Sequence, residues 1–116
     1  MRAHNAVFPP LPSDQPKAAP TGAPHMRMDI ADLRLFLAVA DAGSITAGAA
    51  QANLALGSAS ERLRAIEADA GTALLNRHPR GVSLTEAGAA LAHHARLILQ
   101  QQAQLRGEME AFAQGA

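Results

Sequence analysis

The chain has 116 residues, ten basic and ten acidic, with 48% apolar residues, 3% aromatic and no Cys. That length holds one small domain with appendages. The missing Cys excludes a disulfide scaffold and thiolate metal ligands, three Phe without Tyr or Trp make no stacking platform for single-stranded nucleic acid, and a net charge of zero leaves any nucleic-acid face to local patches.

Residues 1–27 read as a disordered tail, because Pro stands at 9, 10, 12, 16, 20 and 24 with few apolar residues between. Pro9-Pro10-Leu11-Pro12 offers a weak polyproline-ligand pattern. No apolar stretch follows Arg2, so the segment does not read as a signal peptide. From Met28 onward Ile30, Leu33, Phe36, Leu37 and Ala40 follow helical spacing. Asp29 can cap that helix and Gly43 can end it. Ser44 can cap a short second helix, roughly Ile45 to Asn53, whose Ala47, Gly48, Ala49 and Ala50 allow close packing. A third helix is expected from about Leu56 to Asp69, with Ala59, Leu63, Ile66 and Ala70 inward. A capping box at Ser58 and Glu61 would start it later.

Leu74 to Arg77 and Val82 to Leu84, around His78-Pro79-Arg80-Gly81, predict a β-hairpin. Thr85 caps a long helix reaching Ala113, with Glu86 in its first turn. The fold class is mainly α: a winged helix-turn-helix over 28–84, a linker helix over 85–113 and a short tail, 114–116.

Several phrases resemble the LysR-type bacterial transcriptional regulators. They are Asp32-Leu33-Arg34-Leu35-Phe36-Leu37-Ala38-Val39-Ala40, Gly43-Ser44-Ile45-Thr46, Arg64-Ala65-Ile66-Glu67 and Gly71-Thr72-Ala73-Leu74-Leu75. The closing run Arg80-Gly81-Val82-Ser83-Leu84-Thr85-Glu86-Ala87-Gly88 is the most specific of them. The resemblance covers about Met28 to Ala113 and implies a DNA-binding domain with its linker helix, acting in the bacterial cytoplasm. The family's ligand-sensing domain has no counterpart here, so no effector is expected to bind these residues. Many family members open the recognition helix with Ser-Gln-Pro, where this chain has Ala55-Leu56-Gly57. The family often has a basic residue where Glu61 stands.

A recognition helix must present side chains to base edges in the major groove. Leu56, Gly57, Ser60, Glu61 and Arg64 are the candidates. Arg64 suits guanine or phosphate, Glu61 can accept from cytosine N4, and Leu56 can touch a thymine methyl. Ser44 and Thr46, at the start of the second helix, are candidate phosphate contacts. Arg77 and Arg80 bracket the hairpin turn and suit the negative potential of a narrow minor groove. Arg34 and Arg62 are weaker phosphate candidates. Residues 28–84 hold five Arg and six acids, a net charge of −1, so one domain alone should bind modestly and with salt sensitivity.

Pairing would raise that affinity. Leu91, Ala95, Ile98, Gln102, Leu105, Met109 and Phe112 step by four and three and form a candidate dimer seam. Leu97 or Ala87 is left to pack on the domain body, and the resemblance implies antiparallel linker helices. A longer protein could assemble further. No catalytic motif, metal site or cofactor site is expected: His93 and His94 are adjacent and point apart on a helix. The expected function is sequence-specific binding of double-stranded DNA and transcription regulation by a homodimer on a pseudo-palindromic site. Two rivals stand beside it: a winged-helix module that pairs with another regulator without touching DNA, and a molybdate-responsive type of winged-helix regulator.

Overall fold

Asp29 begins the first helix with a reciprocal capping box. Its Oδ1 accepts from Asp32 N at 2.9 Å, and Asp32 Oδ2 accepts from Asp29 N at 3.1 Å. These interactions are seen in a computed structural model, which describes residues 27–115. Apart from Arg27, the expected tail lies outside the described residues.

Helix α1 (Ile30–Ala42) stops at Gly43, which takes the left-handed conformation at φ 67°. Helix α2 (Ile45–Gln51) follows at once, with Ser44 Oγ accepting from Ala47 N at 3.1 Å. It ends two residues before the expected Asn53. Asn53 is left-handed at φ 60°, and Leu54 N donates back to Ala49 O at 2.9 Å, which closes the helix. Gly48 explains how α2 lies against α1: a Cβ there would stand 2.6 Å from Val39 Cα.

Helix α3 (Leu56–Ala70) starts at Leu56 and not at the Ser58 capping box, although Ala55 offers no capping side chain. Its first turn is exposed, so water can satisfy the uncapped N–H groups. Strands β1 (Leu75–His78) and β2 (Gly81–Leu84) form an antiparallel hairpin pairing Leu75 with Leu84 and His78 with Gly81. Pro79 and Arg80 are its two-residue turn. Helix α4 (Glu86–Ala113) is capped by Thr85, whose Oγ1 accepts from Gly88 N at 2.9 Å and donates to Ala73 O at 2.8 Å.

One core serves all the elements. Phe36 and Val39 from α1, Ala59, Leu63 and Ile66 from α3, Leu74, Leu75 and Val82 from the hairpin region, and Ala92 and Ala95 from α4 are buried together. No polar or charged residue is buried among the described residues, so the core demands no internal polar partner.

The proximal half of α4 belongs to this domain, and that corrects part of the expected seam. Ala95 is fully enclosed in its own core, and Leu91 packs against it. Gln102 is half-buried and accepts from Arg34 at 2.8 Å. The physical reason is adjacency on the helix: Ala92, Ala95 and Leu99 form a stripe that abuts the seam stripe, and the domain body covers the shared flank. Ala87 packs on the core, whereas Leu97 is 47% exposed. The apolar surface left open on α4 is Leu97, Ile98, Leu105, Met109 and Phe112.

Candidate nucleic-acid interface

Anchoring one face of α3 in the core turns the opposite face outward. Gly57, Ser60, Glu61 and Arg64 stand three or four residues apart on that face, with Leu56 at its leading end. Leu56 is 49% exposed, Glu61 and Arg64 are exposed, and Ser60 is half-buried. Around Gly57 the space where a side chain would stand is open. The outward rim is therefore apolar and small at its start, and charged one and two turns later. Glu61 lies at the edge of this face and also lines the cleft behind it with Leu54, Arg34 and Arg62.

The hairpin is fixed against both helices of the helix-turn-helix. Val82 N donates to Gly43 O at 3.0 Å, at the turn between α1 and α2. Gly81 makes that approach possible: its φ is 141°, and a Cβ there would lie 2.2 Å from Gly43 O. On the other side Glu67 of α3 takes hold of β1. Its Oε2 accepts from Leu74 N at 2.8 Å and Leu75 N at 3.1 Å, while Oε1 accepts from Arg77 at 2.9 Å. A shallow depression then forms between the start of α2 and the wing, bordered by Ser44, Thr46, Arg77, Pro79 and Arg80. Ser44 Oγ is already used as the helix cap, and Thr46 is exposed.

Ion pairing sorts the charges that the net count leaves mixed. Arg62 pairs with Asp32 and, at 3.8 Å, with Asp29. Arg77 pairs with Glu67, Arg96 with Asp41 at 2.7 Å, and Arg27 with Asp69 at 3.9 Å. Arg34 is bonded to Gln102. The two weaker phosphate candidates, Arg34 and Arg62, are thus engaged within the domain. Among the described residues Arg64 and Arg80 have no carboxylate partner, and Glu61 is the one acid of 28–84 outside an ion pair. The Arg96 guanidinium hydrogen-bonds Asp41 and holds its carboxyl below the usual carboxylate range.

Glu67 is the residue that sequence reasoning passed over. A signal was present: an acid in the last turns of a helix opposes the helix dipole and needs a compensating partner. Glu67 and Asp69 both sit there, and both are paired. Among the described residues no three metal-ligating side chains gather, and no helix there is long and apolar enough to cross a membrane.

Comparison with known proteins gives the same architecture. A family model described as bacterial regulatory helix-turn-helix protein, lysR family, matches residues 30–89. The HTH-type transcriptional regulator TcbR of Pseudomonas sp. (strain P51) is 36% identical over 88 residues, 76% of this chain and 30% of TcbR. In the CbnR_DBD–DNA complex the similar chain is 36% identical with a TM-score of 0.70, over 74% of this chain and 99% of that one. In the complex of BenM_DBD with catB site 1 DNA the values are 28% and 0.73, over 77% and 99%. The chain spans about 30% of the length of TcbR and 25% of CzcR of Bacillus anthracis. With its helix-turn-helix, its hairpin wing and the family match across more than half its length, the chain belongs to the LysR family of bacterial regulatory helix-turn-helix proteins.

Proposed function

We propose that this chain binds double-stranded DNA and regulates transcription, with α3 in the major groove and the wing turn at the adjacent minor groove. The observation that carries this reading is the charge sorting. Arg64 on the outward face of α3 and Arg80 at the wing tip lack carboxylate partners among the described residues, whereas the domain's other Arg side chains are engaged internally. Two separated cations beside an open helix face suit a duplex better than a small ligand. The relatives support it: CbnR_DBD and BenM_DBD have structures in complex with DNA.

In this reading Leu56, Gly57, Ser60, Glu61 and Arg64 meet base edges or the adjoining backbone. Ser44, Thr46 and Arg80 border the phosphates and minor groove on the wing side, with Arg77 beside them bonded to Glu67. The pairing surface is the open apolar stripe of α4, from Ile98 through Leu105 and Met109 to Phe112, with a second copy as its partner. A pair of domains doubles the phosphate contacts, which one domain of net charge −1 supplies sparingly. The domain limits are 28–84 for the winged unit and 85–113 for the linker helix, and the setting is cytoplasmic.

A binding selection from fragmented genomic DNA at two salt concentrations tests the reading. A recurring motif that survives the higher salt supports it. Recovery without a motif at low salt, and none at high salt, reduces it to non-specific binding. No recovery at either salt refutes it.

A further inference from the structure

We propose that Glu67 is a positioning residue for the wing, which commits Arg77 to an internal strut and leaves Arg80 as the wing cation that meets DNA. This rests on the DNA-binding reading above. One carboxylate makes three bonds: Oε2 takes the N–H groups of Leu74 and Leu75 where β1 begins, and Oε1 takes the Arg77 guanidinium two residues further on. Glu67 is only 18% exposed at its side chain, against 41% for Arg77, so the pair is partly shielded from water and salt. Two backbone bonds and one charged bond fix three points of the strand against α3. Across the hairpin, Gly81 and Val82 rest on Gly43 O. The turn is therefore held from both sides, and the residue at its tip is Arg80.

Sequence alone makes Arg77 and Arg80 equivalent, one at each end of the turn. The structure separates them by partner. A guanidinium already bonded to a carboxylate neutralises little phosphate charge and so releases few of the counterions condensed on the DNA. Arg80, without such a partner among the described residues, releases the full share.

Salt-dependent binding of the full chain to a short A·T-rich duplex, read by fluorescence anisotropy, tests this. Arg80→Gln is expected to lower the slope of log affinity against log salt by about 0.9, the share of one phosphate contact. Arg77→Gln is expected to weaken binding several-fold with the slope unchanged. Glu67→Asp keeps the charge but shortens the reach. In that background Arg80→Gln should cost nothing further, because the tip is no longer presented. Arg77→Gln lowering the slope as much as Arg80→Gln overturns the assignment. So does a folded Glu67→Asp chain, checked by circular dichroism, in which Arg80→Gln keeps its full effect. Should Glu67→Asp fail to fold, the Arg77 and Arg80 slopes decide alone. A wild-type chain that binds no duplex at all refutes the DNA-binding reading itself, which is a separate outcome.

Discussion

In the proposed DNA-binding face Glu61 is the decisive side chain, since it places a negative charge beside Arg64, which has no carboxylate partner among the described residues. An acid facing a duplex is repelled by phosphates and tolerated only where cytosine N4 can donate to it. Glu61→Arg is therefore expected to raise affinity for DNA of any sequence and to steepen the salt slope by up to about 0.9. Anisotropy titrations at several salt concentrations check this, and an unchanged slope would place Glu61 on the side of the cleft it also lines. Arg64→Ala should act differently. If Arg64 takes guanine O6 and N7, its loss removes about 1–3 kcal/mol of discrimination at one base pair, seen as relaxed preference in a selection from randomised sites. Buried residues answer to stability instead. Phe36 is wholly enclosed in the core, and Phe36→Ala should cost about 3–5 kcal/mol in denaturant unfolding.

At the scale of elements, tight joints decide how the helices and the wing are placed. A Cβ at Gly81 would meet Gly43 O, so Gly81→Ala should displace the wing and lower both stability and DNA affinity; a wild-type melting curve would refute that joint. Helix α4 is held to α1 by apolar packing at Ala92 and Ala95 and by the Asp41–Arg96 and Arg34–Gln102 bonds. The Asp41 carboxyl is held below its ordinary range by the Arg96 hydrogen bond. Its stabilisation is therefore present above the ordinary carboxylate range and lost as pH falls through the depressed value. The pair is half-exposed, so the effect is small and screened by salt. Thermal melts should find Asp41→Asn slightly less stable than wild type at neutral pH and equal to it in strong acid. Most element boundaries were legible from the sequence, because Asp29, Gly43, Ser44 and Thr85 are chemically specific caps. The start of α3 was less so: Ala55 carries no capping group, and solvent exposure decided in favour of Leu56. The Glu67 strut was illegible because it joins a helix to a strand across a turn, and no periodicity encodes such a contact.

At the scale of the whole molecule the question is what covers the open stripe of α4. Heptad spacing showed that a stripe exists but could not show which part the domain itself would cover. Only packing revealed that Ala95 and Leu91 face inward while Ile98, Leu105, Met109 and Phe112 stay open, at 44%, 56%, 51% and 68% exposure. Those four span fifteen residues, or about 21 Å of helix. An apolar row of that length left in water has no stabilising role for one chain, whereas each large residue covered by a second copy contributes about 1.5–3 kcal/mol. Ile98→Asp together with Leu105→Asp would place unpaired charges within the row that a second copy would cover, which is costly. The double variant should sediment as a monomer and lose most affinity for a paired site, with binding to a single half-site nearly unchanged because α3 and the wing are untouched. Analytical ultracentrifugation beside anisotropy measures both quantities on one sample. Wild-type chain that is monomeric at micromolar concentration would remove the pairing argument. A double variant that still dimerises would move the interface away from α4, and the open row would then need a different partner.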